Sequence, residues 1–166
     1  VERYIDDYIA CLEEEIASLR GIVTKINSVY IGGGTPFCLS EDQLSRVYAA
    51  ISALGIGGAE YTVEAGRPDT FTEEKLAVTA AAGVNRICVN PQTFSDRTLA
   101  FIGRRHTSAQ TLRAYEMAAK YPFDINIDLI AGLTGESLAD FEHSVNTAVS
   151  LAPANITVHS LCLKSG

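Results

Sequence analysis

Ile26-Asn27-Ser28-Val29-Tyr30-Ile31-Gly32-Gly33-Gly34-Thr35-Pro36 is an apolar run that ends abruptly in bare backbone. The run Ile26–Ile31 predicts a buried strand, and three consecutive glycines behind it predict a tight turn without side chains. A helix signal follows at once. Ser40 and Gln43 stand at capping-box spacing, and Leu44, Val47, Tyr48, Ile51 and Leu54 recur at helical intervals. Strand, glycine loop and helix together make one βα unit.

Working outward, the same rhythm covers the chain. Upstream, Ile5, Ile9, Leu12, Ile16 and Leu19 lie on one helix face, and Gly21 stops that helix. Downstream, strands are predicted at Tyr61–Glu64, Arg86–Val89, Asp124–Ile130 and Asn155–Leu161. Between them, Thr70 with Glu73 is expected to cap a helix ending at Gly83. Ser95 is expected to cap a short helix to Ile102, and Ser108 a longer one to about Lys120. Ser137 opens a helix carrying Leu138, Phe141, Val145 and Val149. Five strands joined by helices predict an α/β fold with a parallel sheet and right-handed crossovers. Some strands read as apolar on both faces, as a helix-covered sheet needs. Periodicity alone fits a doubly wound sheet and a piece of a barrel equally. No linker or second composition zone interrupts residues 1–166, so one domain is expected.

The composition excludes several classes. With 47% hydrophobic and 20% charged residues the chain is globular rather than disordered. A net charge of -7 disfavours general binding to nucleic acid or anionic membrane. No apolar run approaches the roughly 20 residues of a bilayer span. Cys11, Cys38, Cys88 and Cys162 match no zinc or cluster spacing and read as small apolar residues in a reducing cytoplasm.

In either architecture, chemistry sits on the loops after the strands, so the residues there carry the functional reading. Gly32, Gly33 and Gly34 expose main-chain N–H and C=O groups, which suit an ammonium group as well as an anion; the plainer reading is a tight turn. Glu64 ends a strand and faces the mouth of the sheet, unless it is spent in an ion pair with Arg67 or Arg86. Gln92 offers an amide donor and acceptor matched to a hydroxyl pair, or caps its own loop. Of Arg104 and Arg105, one is expected to be solvated and the other to clamp a carboxylate with two parallel bonds. Asp124, Asn126 and Asp128 alternate with Ile125, Ile127 and Leu129, so they share a face that lines a cavity or meets solvent. His159 stands at a strand end, and His143 reads as surface.

The order of these motifs is specific. Tyr30-Ile31-Gly32-Gly33-Gly34-Thr35-Pro36, Glu64, Asn85-Arg86 leading to Gln92, Gly103-Arg104-Arg105-His106-Thr107, and Ile127-Asp128-Leu129-Ile130-Ala131-Gly132-Leu133 resemble the oxygen-independent coproporphyrinogen III oxidase (dehydrogenase) family of radical S-adenosylmethionine (radical SAM) enzymes. Glu64-Ala65-Gly66-Arg67-Pro68-Asp69-Thr70 and Asn90-Pro91-Gln92-Thr93 look most like its HemZ-type members.

The resemblance implies a partial (β/α)6 TIM-like barrel in which this chain supplies the second to sixth βα units. It implies that glycines 32–34 receive the methionine amino group of S-adenosylmethionine and that Arg104 clamps its carboxylate. Glu64 would contact the methionine end with Thr35 beside it, Gln92 and Asp128 the ribose, and Ala131 with Gly132 the adenine. It further implies a 4Fe-4S cluster on a CxxxCxxC loop upstream of this sequence, an electron donor, and a porphyrinogen whose propionates are decarboxylated to vinyls in heme biosynthesis. Without that loop, this fragment is expected to be inactive, and its open barrel edge to favour self-association. Thr134 stands where relatives carry Pro. A heme-binding chaperone and a generic nucleotide-binding α/β module are the alternatives.

Overall fold

In the computed structural model, which describes residues 2–162, five strands form a single all-parallel sheet. They are β1 (Ser28–Ile31), β2 (Glu60–Gly66), β3 (Arg86–Gln92), β4 (Asp124–Ala131) and β5 (Asn155–Ser160). Their spatial order is their sequence order. A doubly wound sheet reverses direction at a switch point. This sheet never does, which removes that alternative and leaves a barrel segment with β1 and β5 at its edges.

The helices are α1 (Ile5–Ser18), α2 (Glu41–Ser52), α3 (Glu73–Ala81), α4 (Asp96–Phe101), α5 (Ser108–Ala118) and α6 (Leu138–Ser150). Local chemistry explains their starts. At α2 both arms of the Ser40–Gln43 capping box form. Ser95 caps α4 and Ser137 caps α6. Two caps lie elsewhere than expected. Thr72, not Thr70, accepts the Lys75 amide at the start of α3. Thr70 instead closes a 3-10 turn (Pro68–Thr70) and donates to the Arg67 carbonyl. For α5 the cap is Thr107, which forms a box with Gln110, and Ser108 is the first helical residue. In each case a neighbouring hydroxyl with the same local chemistry wins, because the extended backbone of a cap falls on that residue.

The core lies on the helix-covered face. Tyr61, Val63, Ile87, Val89, Ile127 and Leu129 point into it and meet Leu44, Leu76, Ala114, Ala118 and Ala148 from the helices. The other face is polar, which departs from the strands read as apolar on both faces and matches the cavity-lining face expected for Asn126 and Asp128. Thr62, Glu64, Cys88, Asn126 and Asp128 occupy it. The cysteines differ too: Cys88 is buried, but Cys11, Cys38 and Cys162 are exposed and free. No helix among the described residues is long and apolar enough to cross a membrane.

Candidate functional site

The polar face of the sheet lines an open cavity of about 350 Å³. Tyr30, Glu64, Cys88, Asn126, Asp128 and His159 are among its lining residues. They come from all five strands, because pleating sends every second side chain to this side. Asp124 is not among them: it is exposed at the start of β4. His143 is exposed on α6.

At the mouth, the glycine run is built into the sheet. A Cβ on Gly32 would lie 2.5 Å from Cε1 of Tyr30 and 2.9 Å from Oε2 of Glu64, so a larger residue would displace one of these side chains. Gly33 and Gly34 take left-handed backbone, φ 81 and 60. A Cβ on either would meet nothing within 4 Å, so their main chain faces open space. The Gly33 amide donates to Oε2 of Glu64 at 3.3 Å. Among the described residues Glu64 makes no ion pair; Arg67 pairs with Asp69 at 3.4 Å instead. Glu64 therefore organises the glycine turn and leaves a half-buried carboxylate beside bare backbone. Thr35 follows and packs on Gly66, where a Cβ would lie 2.9 Å from Cγ2 of Thr35.

Asp128 sits two strands away on the same face. It accepts from Nδ2 of Asn126, whose Oδ1 accepts in turn from Asn155 and Thr157. This ladder holds the carboxylate in place and satisfies polar groups that would otherwise be costly to bury. Between Glu64 and Asp128, burial and then the Asp128 carboxylate push the Cys88 thiol up to about 11. Burial and the Glu64 carboxylate also push the Tyr30 phenol up. Both groups stay protonated near pH 7, and Arg86 lines the cavity alongside Glu64 and Asp128.

Strand ends β2 and β3 are irregular. The β2–β3 register slips between Glu64 and Gly66, and the β3–β4 register between Val89 and Gln92. Gln92 holds φ 70, rare for a residue with a Cβ, and pairs with Leu129 beside Asp128. Arg104 is half-buried and Arg105 exposed. Two residues after Arg104, the Nε2 of His106 lies 3.3 Å from the Pro91 carbonyl. Ala131 pairs with Ser160 at the end of β4, and Gly132 follows with φ 84. Glu64, which bonds Gly33, and Asp128 thus line one cavity, while Gln92 stands at the end of β3 and Arg104 on the connection that follows α4.

Sequence reasoning passed over Tyr30, Cys88 and His106. The first two share the parity of Ser28 and Arg86 on strands that alternate, so their face was readable. His106 carried no periodic signal. Among the described residues no group of three or more His, Cys, Asp or Glu side chains is placed to hold a metal ion.

The comparisons with known proteins agree with this fold. The oxygen-independent coproporphyrinogen-III oxidase-like protein HemZ of Bacillus subtilis is 41% identical over 144 residues, covering 84% of this chain and 29% of that protein. The heme chaperone HemW of the same organism is 37% identical over 166 residues, covering 96% of this chain and 44% of that protein. The chain thus spans less than half the length of these relatives. Among solved structures, the coproporphyrinogen III oxidase HemN of Escherichia coli superposes with a TM-score of 0.85 at 24% identity, over 95% of this chain and 37% of that one. That likeness shows the fold, a partial barrel of parallel strands. The model of the Radical SAM superfamily matches residues 7–148. The chain belongs to the radical SAM superfamily, whose cofactors are S-adenosylmethionine and a 4Fe-4S cluster.

Proposed function

We propose that this chain is the S-adenosylmethionine-binding part of a radical enzyme of the oxygen-independent coproporphyrinogen III dehydrogenase type. The observation that carries the reading is the Gly33–Glu64 hydrogen bond at the mouth of a cavity that also holds Asp128. It couples bare backbone to a carboxylate where an ammonium group would be received.

The residues present fit the nucleoside and not the cluster. Main-chain carbonyls of Gly32–Gly34 and the Glu64 carboxylate accept from the methionine ammonium. Arg104 offers paired N–H donors to the methionine carboxylate. Gln92 and Asp128 suit the ribose hydroxyls, while Thr35 shapes the loop and Ala131 with Gly132 would stand beside adenine. When bound beside its cluster, S-adenosylmethionine supplies one-electron chemistry; the protein orients it and shields it from water. A porphyrinogen and an electron donor are the partners this reading requires.

A second reading, heme capture without decarboxylation, is favoured by the relatives named as heme chaperones. The intact protein, reconstituted without oxygen, decides between them. S-adenosylmethionine-dependent loss of carbon dioxide from coproporphyrinogen III supports the first. Stoichiometric heme capture without that loss supports the second. In the same protein, Arg104→Lys is expected to weaken S-adenosylmethionine about tenfold, because a lysine cannot make the paired bonds. Calorimetric titration reads it, and unchanged affinity would move the clamp to another residue.

A further inference from the structure

We infer that His106 is a positioning residue: it ties the segment carrying Arg104 to the turn carrying Gln92 and so sets the spacing of two cofactor contacts. The inference rests on the cofactor site proposed above.

His106 is 2% exposed and lies between two segments. One is the Gly103–Thr107 connection from α4 to α5. It is held locally on both sides: the Arg104 amide donates to the Leu99 carbonyl, and Thr107 caps α5. The other is the end of β3, where the register with β4 breaks and Gln92 takes φ 70. The His106 Nε2 to Pro91 oxygen contact, 3.3 Å, joins them. Pro91 directly precedes Gln92, and Arg104 lies two residues before His106.

The chemistry of the contact fixes the tautomer. A carbonyl oxygen only accepts, so Nε2 carries the proton and Nδ1 is a bare acceptor. That Nδ1 is buried and has no partner among the described residues. A hydrocarbon side chain would fill this space without an unsatisfied nitrogen. The histidine is therefore poorly explained by packing and well explained by the one bond it makes. Burial holds the imidazole below its ordinary range, and the guanidinium groups of Arg104 and Arg67 act in the same direction. The Pro91 bond and Asp69 oppose them. Near pH 7 the ring is neutral.

Backbone at positive φ in a residue with a Cβ persists only when its surroundings hold it. The Pro91 carbonyl is the adjacent peptide group, so the imidazole acts directly on the turn that aims Gln92. It fixes at the same time how far Arg104 stands from that turn. Neither role requires His106 to touch the cofactor.

The test uses the intact protein, reconstituted without oxygen, with S-adenosylmethionine as the titrant and thermal unfolding measured in parallel. His106→Gln keeps an N–H that can reach the carbonyl; His106→Leu does not. Expected results are a loss of affinity of about tenfold for His106→Leu and under about threefold for His106→Gln, with similar melting temperatures for the two variants. In a Gln92→Ala background, His106→Leu should cost clearly less than it does alone, because one of the two contacts it positions is already gone. Wild-type affinity in His106→Leu overturns the inference, as does full additivity with Gln92→Ala. Affinity that falls in both variants only in step with melting temperature assigns the residue to packing and also overturns it. If His106→Leu does not fold, His106→Gln decides alone, and a tenfold loss there counts against the inference. Arg104→Lys and Gln92→Ala separate the two levels. If neither weakens binding, the proposed cofactor site is wrong. If both do and His106→Leu does not, only the positioning role is wrong.

Discussion

On the helix side of the sheet, Val63, Ile87, Val89, Ile127 and Leu129 are fully buried. On the opposite side, one residue along each strand, stand Thr62, Glu64, Cys88, Asn126 and Asp128. The backbone is the same for both sets, and only side-chain parity separates them. The first set loses its water to helices, and hydrophobic burial holds the fold together there. The second set keeps polar groups that answer each other across strands, as Asn155, Thr157, Asn126 and Asp128 do. One face is packed under helices, and the other lines a polar cavity in which Thr62, Cys88 and Asn126 are buried and Glu64 and Asp128 half-buried.

The largest expected effect breaks that contrast at its centre. Ile127→Ala removes a fully buried side chain between helices and sheet, and should cost roughly 3 kcal/mol through lost burial and a residual cavity. His159→Ala on the open face is expected to cost under about 0.5 kcal/mol, because the residue is exposed. Urea unfolding of the two variants reads the difference. Similar midpoints would mean that the open face contributes as much to stability as the core.

The next effect lies where the two faces meet the rim. Gly66 holds φ 79, and a Cβ there would approach Cγ2 of Thr35 to 2.9 Å. Gly66→Ala therefore adds left-handed strain and a contact with a methyl group, together about 2 kcal/mol. Thr35→Ser deletes that methyl. In the Thr35→Ser background, the same change should cost only the backbone strain, about 1 kcal/mol. Full additivity in this cycle would show that Thr35 does not rest on Gly66.

How much of this was legible in the sequence follows from the range of each interaction. Strands and helices were readable because their signals are local: alternation over Asp124–Ile130, helical spacing from Leu44 to Leu54, hydroxyl caps. Even the misplaced caps erred only between neighbouring hydroxyls, Thr70 for Thr72 and Ser108 for Thr107. Glu64 and Asp128 could be placed on an open face because parity carries their direction. Periodicity did not decide between a doubly wound sheet and a barrel, since that depends on which strands pair across long crossovers; the order of the strand-end motifs did, and the barrel it implied is the one observed. The tie between His106 and Pro91, which spans a whole helix and leaves no periodic trace, was not legible. For some strands an apolar second face was expected, from the general habit of parallel sheets to be covered twice. Barrel geometry overrides that habit by curving one face around a cavity.

The smallest effect tests how strictly the helix side excludes polar groups. Tyr48 and Tyr61 meet edge to face there, with ring centroids 6.2 Å apart. The Tyr48 hydroxyl bonds Thr79 at 2.9 Å, whereas the Tyr61 hydroxyl is buried without a partner among the described residues. Burial pushes the Tyr48 phenol up to about 12, against a lowering by Thr79, and pushes Tyr61 up with no such offset. Tyr48→Phe removes a satisfied bond and should cost about 1 kcal/mol. Tyr61→Phe removes a desolvated oxygen that bonds nothing, so it should be neutral or stabilise by up to about 1 kcal/mol. The sign of the difference carries the argument. The same apolar wall charges for a hydroxyl only when its partner is missing, and Tyr61→Phe costing as much as Tyr48→Phe would place an ordered water at that oxygen.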